Sequence, residues 1–307
     1  MDSKTQKPVV PKALKKGDII GIVAPAGPFD RAKLQAGIQV LESMGFKLFI
    51  PEGLFKKEDY LAGSDTHRAE TLNRLFENDS IRAIMCARGG FGSLRILSLI
   101  NTESVRNNPK IFIGFSDITA IHSFLYTKCD LVSFHGPMVT TLADNCLKTR
   151  DALFEAITAG KKLRIKPEKG RIIHHGIAQG PVLGGNMATL CHLTGTEYEP
   201  DLKGHILFFE DTDEPLYKID RMLTQMKFAG VLDGVAGIVL GSFKNCGEPE
   251  GVYMIFERMF RDEGIPVLAG FAIGHEKSNI TVPIGLKATM DTDNHLFLFH
   301  EPSTCGN

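Results

Sequence analysis

The sequence has no excess of charge of either sign: Lys plus Arg number 35, Asp plus Glu 36, and the formal net charge is −1. A dedicated nucleic-acid binder is normally basic with a clustered cationic face, so that class is set aside. Acidic-tail and polybasic-anchor readings fall with it. No apolar run approaches the roughly 18 residues that a membrane span needs. The polar start, Met1 to Lys7, has no apolar stretch of export-signal length behind it, which leads to the expectation of a cytoplasmic protein. Among the six cysteines (Cys86, Cys129, Cys146, Cys191, Cys246, Cys305) there is no C-x-x-C pair. Neither a disulfide framework nor a zinc site with paired ligands is therefore expected. The adjacent pairs His174-His175 and Cys191-His192 are no natural clamp either, because neighbours in a strand face opposite sides, and no metal site is assigned. What remains is ordinary: 307 residues, 43% hydrophobic and 23% charged. That length suggests about two domains, large enough to bury a core without staples.

Residues 1–12 are polar, with Pro8 and Pro11, and read as a flexible tail. From 13 to 160 apolar strands alternate with helices. The run Asp18 to Ala24 reads as a buried strand, ended by Pro25-Ala26-Gly27-Pro28. Asp30 can cap a helix with Leu34, Ile38 and Leu41 on one face and Gly45 past its end. Strands are then expected at Phe46–Ile50, Ile81–Cys86 and Ile111–Gly114, with helices near Thr71–Glu77, Leu94–Ile100 and Ile118–Lys128. Such alternation implies an α/β fold: a mainly parallel sheet with helices on both faces. Its active residues should lie in loops at the carboxyl ends of strands, here Pro25–Pro28, Arg88–Ser93 and Ser116–Thr119. Residues 161–178, rich in Lys and Gly, read as an exposed linker. Residues 179–307 read as a smaller β-rich α+β domain, with strands from Gln179, His205, Val235 and Pro266 and a helix over Tyr217–Phe228. There is no internal repeat.

Four constellations carry chemistry. In Gly114-Phe115-Ser116-Asp117-Ile118-Thr119 a buried strand runs into Ser116 and a helix follows at once, the geometry of a nucleophile elbow. The amide of Asp117 would point with the helix N-terminus at a developing oxyanion. The pattern departs from G-x-S-x-G, since residue 118 is Ile, and Ser116 can also be read as a plain helix cap. Arg88-Gly89-Gly90-Phe91-Gly92-Ser93 looks like a phosphate loop but matches neither G-x-G-x-x-G nor G-x-x-x-x-G-K-[ST]. Its glycines would let a backbone amide approach a substrate as a second oxyanion donor. Arg88 could hold a carboxylate bidentately or pair with a nearby acid. The strand from His205 delivers Glu210, Asp211, Asp213 and Glu214, with Glu210 and Asp211 on opposite faces. Such a cluster is also what a solvated loop looks like. His275 follows Gly274 at the end of an apolar strand, where neutral imidazole could take a serine proton. The order Ser116, Glu210, His275 is one that working triads use.

These segments, with Phe134-His135-Gly136-Pro137, Gly184-Gly185-Asn186, Ile219-Asp220-Arg221 and Pro283-Ile284-Gly285, resemble the LD-carboxypeptidase family of serine peptidases, which includes the microcin-immunity peptidases. The resemblance runs from about Leu14 to Asp291. It implies a triad at Ser116, Glu210 and His275, with Glu214 the rival for the acid, and an oxyanion hole from the amides of Gly90 and Asp117. It implies a site assembled between an N-terminal α/β domain and a C-terminal domain, no metal or organic cofactor, and a homodimer. The substrate it implies is a small murein stem peptide losing its terminal D-alanine, with Arg88 as substrate-binding group. The alternatives are a microcin-type peptidase acting on a peptidyl-nucleotide amide and a non-catalytic nucleotide- or peptide-binding protein.

Overall fold

The computed structural model describes residues 7–306. Short strands β1 (Ile19–Val23), β2 (Lys47–Phe49), β3 (Ile81–Cys86), β4 (Ile111–Gly114) and β5 (Ser133–His135) lie parallel in the order β5-β4-β3-β1-β2. Helices α1 (Arg31–Ser43), α2 (Asp65–Glu77), α3 (Thr102–Asn107) and α4 (Thr119–Cys129) supply the crossovers. Strands covered on both faces read as unbroken apolar runs, and β1, β3 and β4 are buried almost throughout. Asp30 caps α1 by accepting from the Lys33 amide at 2.9 Å. Ser64 does the same for α2 through His67, so that helix starts six residues before the expected Thr71. The stretch near Leu94–Ile100 is a 3-10 turn at Leu94–Leu99, and α3 follows it.

Helices α5 (Val139–Leu142) and α6 (Leu147–Thr158) lead to β6 (Lys162–Ile165), β7 (Arg171–His174) and β8 (Ile177–Asn186). After α7 (Met187–Cys191) come β9 (Ile206–Thr212), α8 (Leu216–Phe228), β10 (Gly237–Lys244), α9 (Pro249–Phe260) and β11 (Val267–Ala269). Strands β12 (Val282–Ile284), β13 (Lys287–Asp291) and β14 (Leu296–Pro302) finish the chain. The second sheet has the order β6-β14-β13-β8-β9-β10-β11-β7, with β8 to β11 parallel and the flanking strands antiparallel.

Two expectations need correction. Residues 161–178 are no free linker, because β6 and β7 form the two edges of the second sheet. The basic residues that suggested a linker guard an edge: in β6, Lys162 and Arg164 face solvent while Leu163 and Ile165 are buried. Of the expected tail, residues 1–6 lie outside the described residues. The rest is tied down: the Val9 amide donates to Asp130 O at 2.6 Å, and Cys305 N to Pro11 O at 2.9 Å.

The two halves interlock through β12. It leaves the C-terminal half and pairs antiparallel with β5, Val282 opposite His135 and Ile284 opposite Ser133, forming the outer strand of the first sheet. Pro283 is tolerated there because an edge strand has one unpaired side. One buried apolar cluster runs through both halves, from Leu14 to Phe299. Among the described residues no helix is long and apolar enough to cross a membrane.

Candidate active site

The carboxyl ends of β1, β3 and β4 meet those of β9 and β10 around a cavity of about 950 Å³. Its walls include Arg88, Gly90, Phe115 and Ser116 from the first half and Thr212, Lys244 and His275 from the second.

Ser116 sits where β4 turns into the 3-10 turn Ser116–Ile118 and then α4. Its φ is +64°, a left-handed conformation that costs a non-glycine residue about 1–2 kcal/mol. A plain helix cap takes extended backbone, so the local geometry is that of a strained elbow which lifts the hydroxyl above the sheet. The missing glycine at 118 has a packing reason. The Ile118 side chain fills the space beside Gly114, where an added Cβ would lie 2.8 Å from Ile118 Cγ2.

The loop Arg88–Ser93 packs directly on this elbow. A Cβ on Gly89 would stand 3.1 Å from Ser116 Cβ and 3.4 Å from the Asp117 amide, so a side chain there would crowd the nucleophile's turn. The amides of Gly90 and Asp117 donate to no other group among the described residues. The loop is not a free phosphate cradle, because the Ser93 amide is already given to the Asp117 carboxylate at 2.8 Å and the Ser93 hydroxyl to the Asp117 carbonyl. Burial raises the Asp117 carboxyl above its usual range. Arg88 lines the cavity, makes no ion pair among the described residues and gives Nη1 to the Pro28 carbonyl at 2.6 Å.

Sequence reading missed Arg68, which lies in the polar pattern of α2. Its side chain is wholly buried, and it donates to the carbonyls of Gly63 (3.2 Å), Gly92 (2.8 Å) and Pro25, and to the Asp65 carboxylate. One guanidinium thus joins the loops that end β1 and β3. The visible signal was a lone Arg on the same helix face as Leu72 and Leu75.

The acids of β9 part company. Glu210 is fully buried, and its Oε2 accepts from His275 Nδ1 at 2.6 Å. That bond assigns the Nδ1 proton and leaves Nε2 with a free lone pair. A Cβ on Gly274 would fall 2.5 Å from Glu210 Oε2, so glycine at 274 is what lets the imidazole reach the carboxylate. Asp211, on the opposite face, accepts from Asn186 Nδ2 (2.7 Å) and from the amides of Ala188 (3.0 Å) and Thr212 (2.8 Å), anchoring α7. Burial, with Glu210 beside it, pushes its pKa up to about 6. Asp213 holds Asn245 Nδ2 at 2.9 Å, and Glu214 pairs with Lys218 at 3.2 Å. Of the two rival acids, Glu210 is the one set against His275.

Burial presses the His275 imidazolium down, yet the charge and hydrogen bond of Glu210 outweigh it, and the net shift is upward. Phe115, one residue before Ser116, packs edge-on against the His275 ring with centroids 4.8 Å apart. Behind them sit two buried histidines. His122 donates from Nε2 to the Gly114 carbonyl at 2.8 Å and accepts at Nδ1 from Ser133 Oγ at 2.8 Å, and burial lowers its pKa to about 4. His135 lies against Phe115 and Phe208, held neutral by burial. Among the described residues no group of three or more His, Cys, Asp or Glu is placed to hold a metal ion.

Residues 20–136 match the LD-carboxypeptidase N-terminal domain and residues 179–290 the LD-carboxypeptidase C-terminal domain. The chain belongs to the LD-carboxypeptidase family. A probable murein peptide carboxypeptidase of Bacillus subtilis is 38% identical over 291 residues, covering 92% of this chain and 91% of that protein. Among solved structures, an MccF-like protein from Bacillus anthracis superposes with a TM-score of 0.90 at 27% identity, over 95% of this chain and 98% of that one. A muramoyltetrapeptide carboxypeptidase from Oxalobacter formigenes gives 0.81 at 28% identity, over 92% and 97%. The two family domains correspond to the two halves that meet at the cavity, with β12 crossing between them.

Proposed function

We propose that this protein is a serine carboxypeptidase that hydrolyses the amide between an L-centre and a C-terminal D-amino acid, releasing D-alanine from murein tetrapeptide. The observation that carries the reading is the half-buried His275, held by the buried Glu210, sharing one cavity with Ser116 on its strained elbow. Similarity to a murein peptide carboxypeptidase over nine-tenths of both chains supports the substrate class.

In this reading His275 Nε2 takes the Ser116 hydroxyl proton as Oγ bonds to the scissile carbonyl carbon. The amides of Gly90 and Asp117 hold the resulting oxyanion. Collapse breaks the carbon–nitrogen bond, and His275 returns the proton to the departing amine. Water then gives a proton to His275 and its oxygen to the acyl carbon, and Ser116 leaves with the proton back on Oγ. Glu210 keeps the imidazole in the Nδ1–H form and stabilises its charged state. Arg88 binds a substrate carboxylate. The setting is cytoplasmic recycling of wall fragments, and the working form is a homodimer.

The test uses wild type and Ser116→Ala with murein tetrapeptide and its all-L analogue. Wild type should release D-alanine from the first only, and Ser116→Ala from neither. Equal activity of both proteins, or no cleavage by wild type, would sink the reading. A second reading, hydrolysis of a peptidyl-nucleotide amide as in microcin immunity, draws on the likeness to the MccF-like structure and on the breadth of the cavity. Turnover of such an amide faster than the tetrapeptide would favour it.

A further inference from the structure

Beyond the triad, the cavity lining carries charges of both signs, Lys33, Arg88, Lys244 and Lys277 against Asp30, Asp144 and Glu276. Among the described residues only Lys33 of the four cations comes within ion-pair distance of a carboxylate, Asp144 at 3.9 Å. Lys277 rides on the loop after His275. Lys244 differs because its backbone is locked. It is the last residue of β10, in register with Thr212 of β9, and its carbonyl takes the Asp213 amide at 2.9 Å. The next residue, Asn245, adopts a left-handed turn and gives Nδ2 to Asp213 at 2.9 Å. Asp213 is thereby hydrogen-bonded by Asn245, and by Thr212 Oγ1 at 2.9 Å, and feels the charge of Lys244 without forming an ion pair with it. Lys244 is exposed at this strand end, lines the cavity and makes no ion pair among the described residues. Its charge is also among those felt at His275.

Chemistry decides which part of a substrate this ammonium meets. His275 must hand its proton to the departing nitrogen, so the leaving residue lies on the His275 side of the scissile bond. In a carboxypeptidase substrate the free carboxylate is one carbon from that nitrogen. A cation suited to it belongs on the wall that carries Glu210 and His275, and Lys244 stands on the strand paired with β9. Arg88 stands on the other wall, where a Cβ on Gly90 would lie 3.8 Å from its Cζ, beside the expected oxyanion donor. Resting on the carboxypeptidase reading above, we infer that Lys244 receives the free carboxylate of the departing residue and Arg88 a second carboxylate on the acyl side. The preferred substrates are then peptides carrying two carboxylates that flank the scissile amide.

The experiment compares wild type, Lys244→Met, Lys244→Arg and Arg88→Met on two peptides, the tetrapeptide acid and the same peptide ending in a carboxamide. Wild type should prefer the acid by about 100-fold in kcat/KM, the scale of a charge-assisted contact in a cavity. In Lys244→Met that preference should fall below about 5-fold, the loss residing mainly in KM, with partial recovery in Lys244→Arg. Arg88→Met should lower kcat/KM for acid and amide alike and keep their ratio. Retention of the wild-type ratio by Lys244→Met, or its collapse in Arg88→Met, overturns the assignment while leaving the carboxypeptidase reading intact. Failure of wild type to cleave either peptide defeats that reading and the Lys244 assignment together. Thermal melts of the variants, compared with wild type, exclude misfolding as the cause of any change.

Discussion

Arg68 donates from Nη1 to the carbonyl of Gly92 at 2.8 Å, and the same nitrogen reaches the carbonyl of Pro25. The loops that end β1 and β3 are therefore held by one buried group. Arg68→Met should leave three loop carbonyls and Asp65 without this donor and destabilise the protein by about 3–5 kcal/mol. Turnover should fall as well, because Gly90 lies between Arg88 and Gly92 in the tethered loop. Urea denaturation is the check, and a loss under about 1 kcal/mol would refute the tether.

Ser116 is strained whatever its side chain does. Ser116→Gly and Ser116→Ala should both abolish hydrolysis, but the glycine variant should be the more stable of the two by about 1 kcal/mol, since only it adopts φ +64° freely. Paired thermal melts decide the matter. Equal stability would mean that the elbow carries no strain.

Glu210→Gln should lower kcat by on the order of 10³–10⁴-fold through loss of the imidazole's orienting charge. Glu214→Gln should change it less than about 3-fold, the cost of a partly exposed helix-start pair with Lys218. The reverse ranking would return Glu214 to the site.

Activity should rise with pH as His275 loses its proton, with a midpoint above 6.5, and Glu210→Gln should move that midpoint down. For stability the signs differ between groups. The raised His275 contributes stability that is full below its unfolded pKa and is lost as pH climbs through its folded value. His122 and His135 act oppositely, because the unfolded chain takes up protons that the folded protein refuses. Below about pH 6.5 stability should decline, with His122 alone accounting for on the order of 3 kcal/mol by pH 4. Denaturation curves between pH 7 and 4 on wild type and His122→Gln should diverge in the acid limb.

The legible part of the site was the part written in local pattern. Ser116 and Glu210 lie at or just past strand ends, which is where reactive groups lie in an open α/β sheet. The glycine loop was legible for the same reason. The strand expected to run from Pro266 to Ile273 ends at Ala269, so His275 stands in the loop six residues beyond β11 rather than at a strand end. Arg68 was not, because a polar residue on an amphipathic helix reads as solvated unless its partners, here up to 43 residues away, are known. The strands β6 and β7 were hidden by their own charges, since basic edge residues and a basic linker look alike. Asp211 was grouped with a solvated cluster, yet it anchors a helix, and only the three donors that converge on it distinguish the cases. The pairing of β12 with β5 joins residues about 150 apart and has no local signature.

That pairing limits how the protein can be cut. A fragment ending near residue 160 would expose the hydrogen-bonding side of β5, where Phe134 and His135 are wholly buried in the full chain. Such an edge invites pairing with other copies. The remaining fragment would carry β12 with no sheet to join. The nucleophile and the base are therefore not independent modules: either half made alone would carry an unpaired strand, and exchanging one half between relatives would require matched β5 and β12.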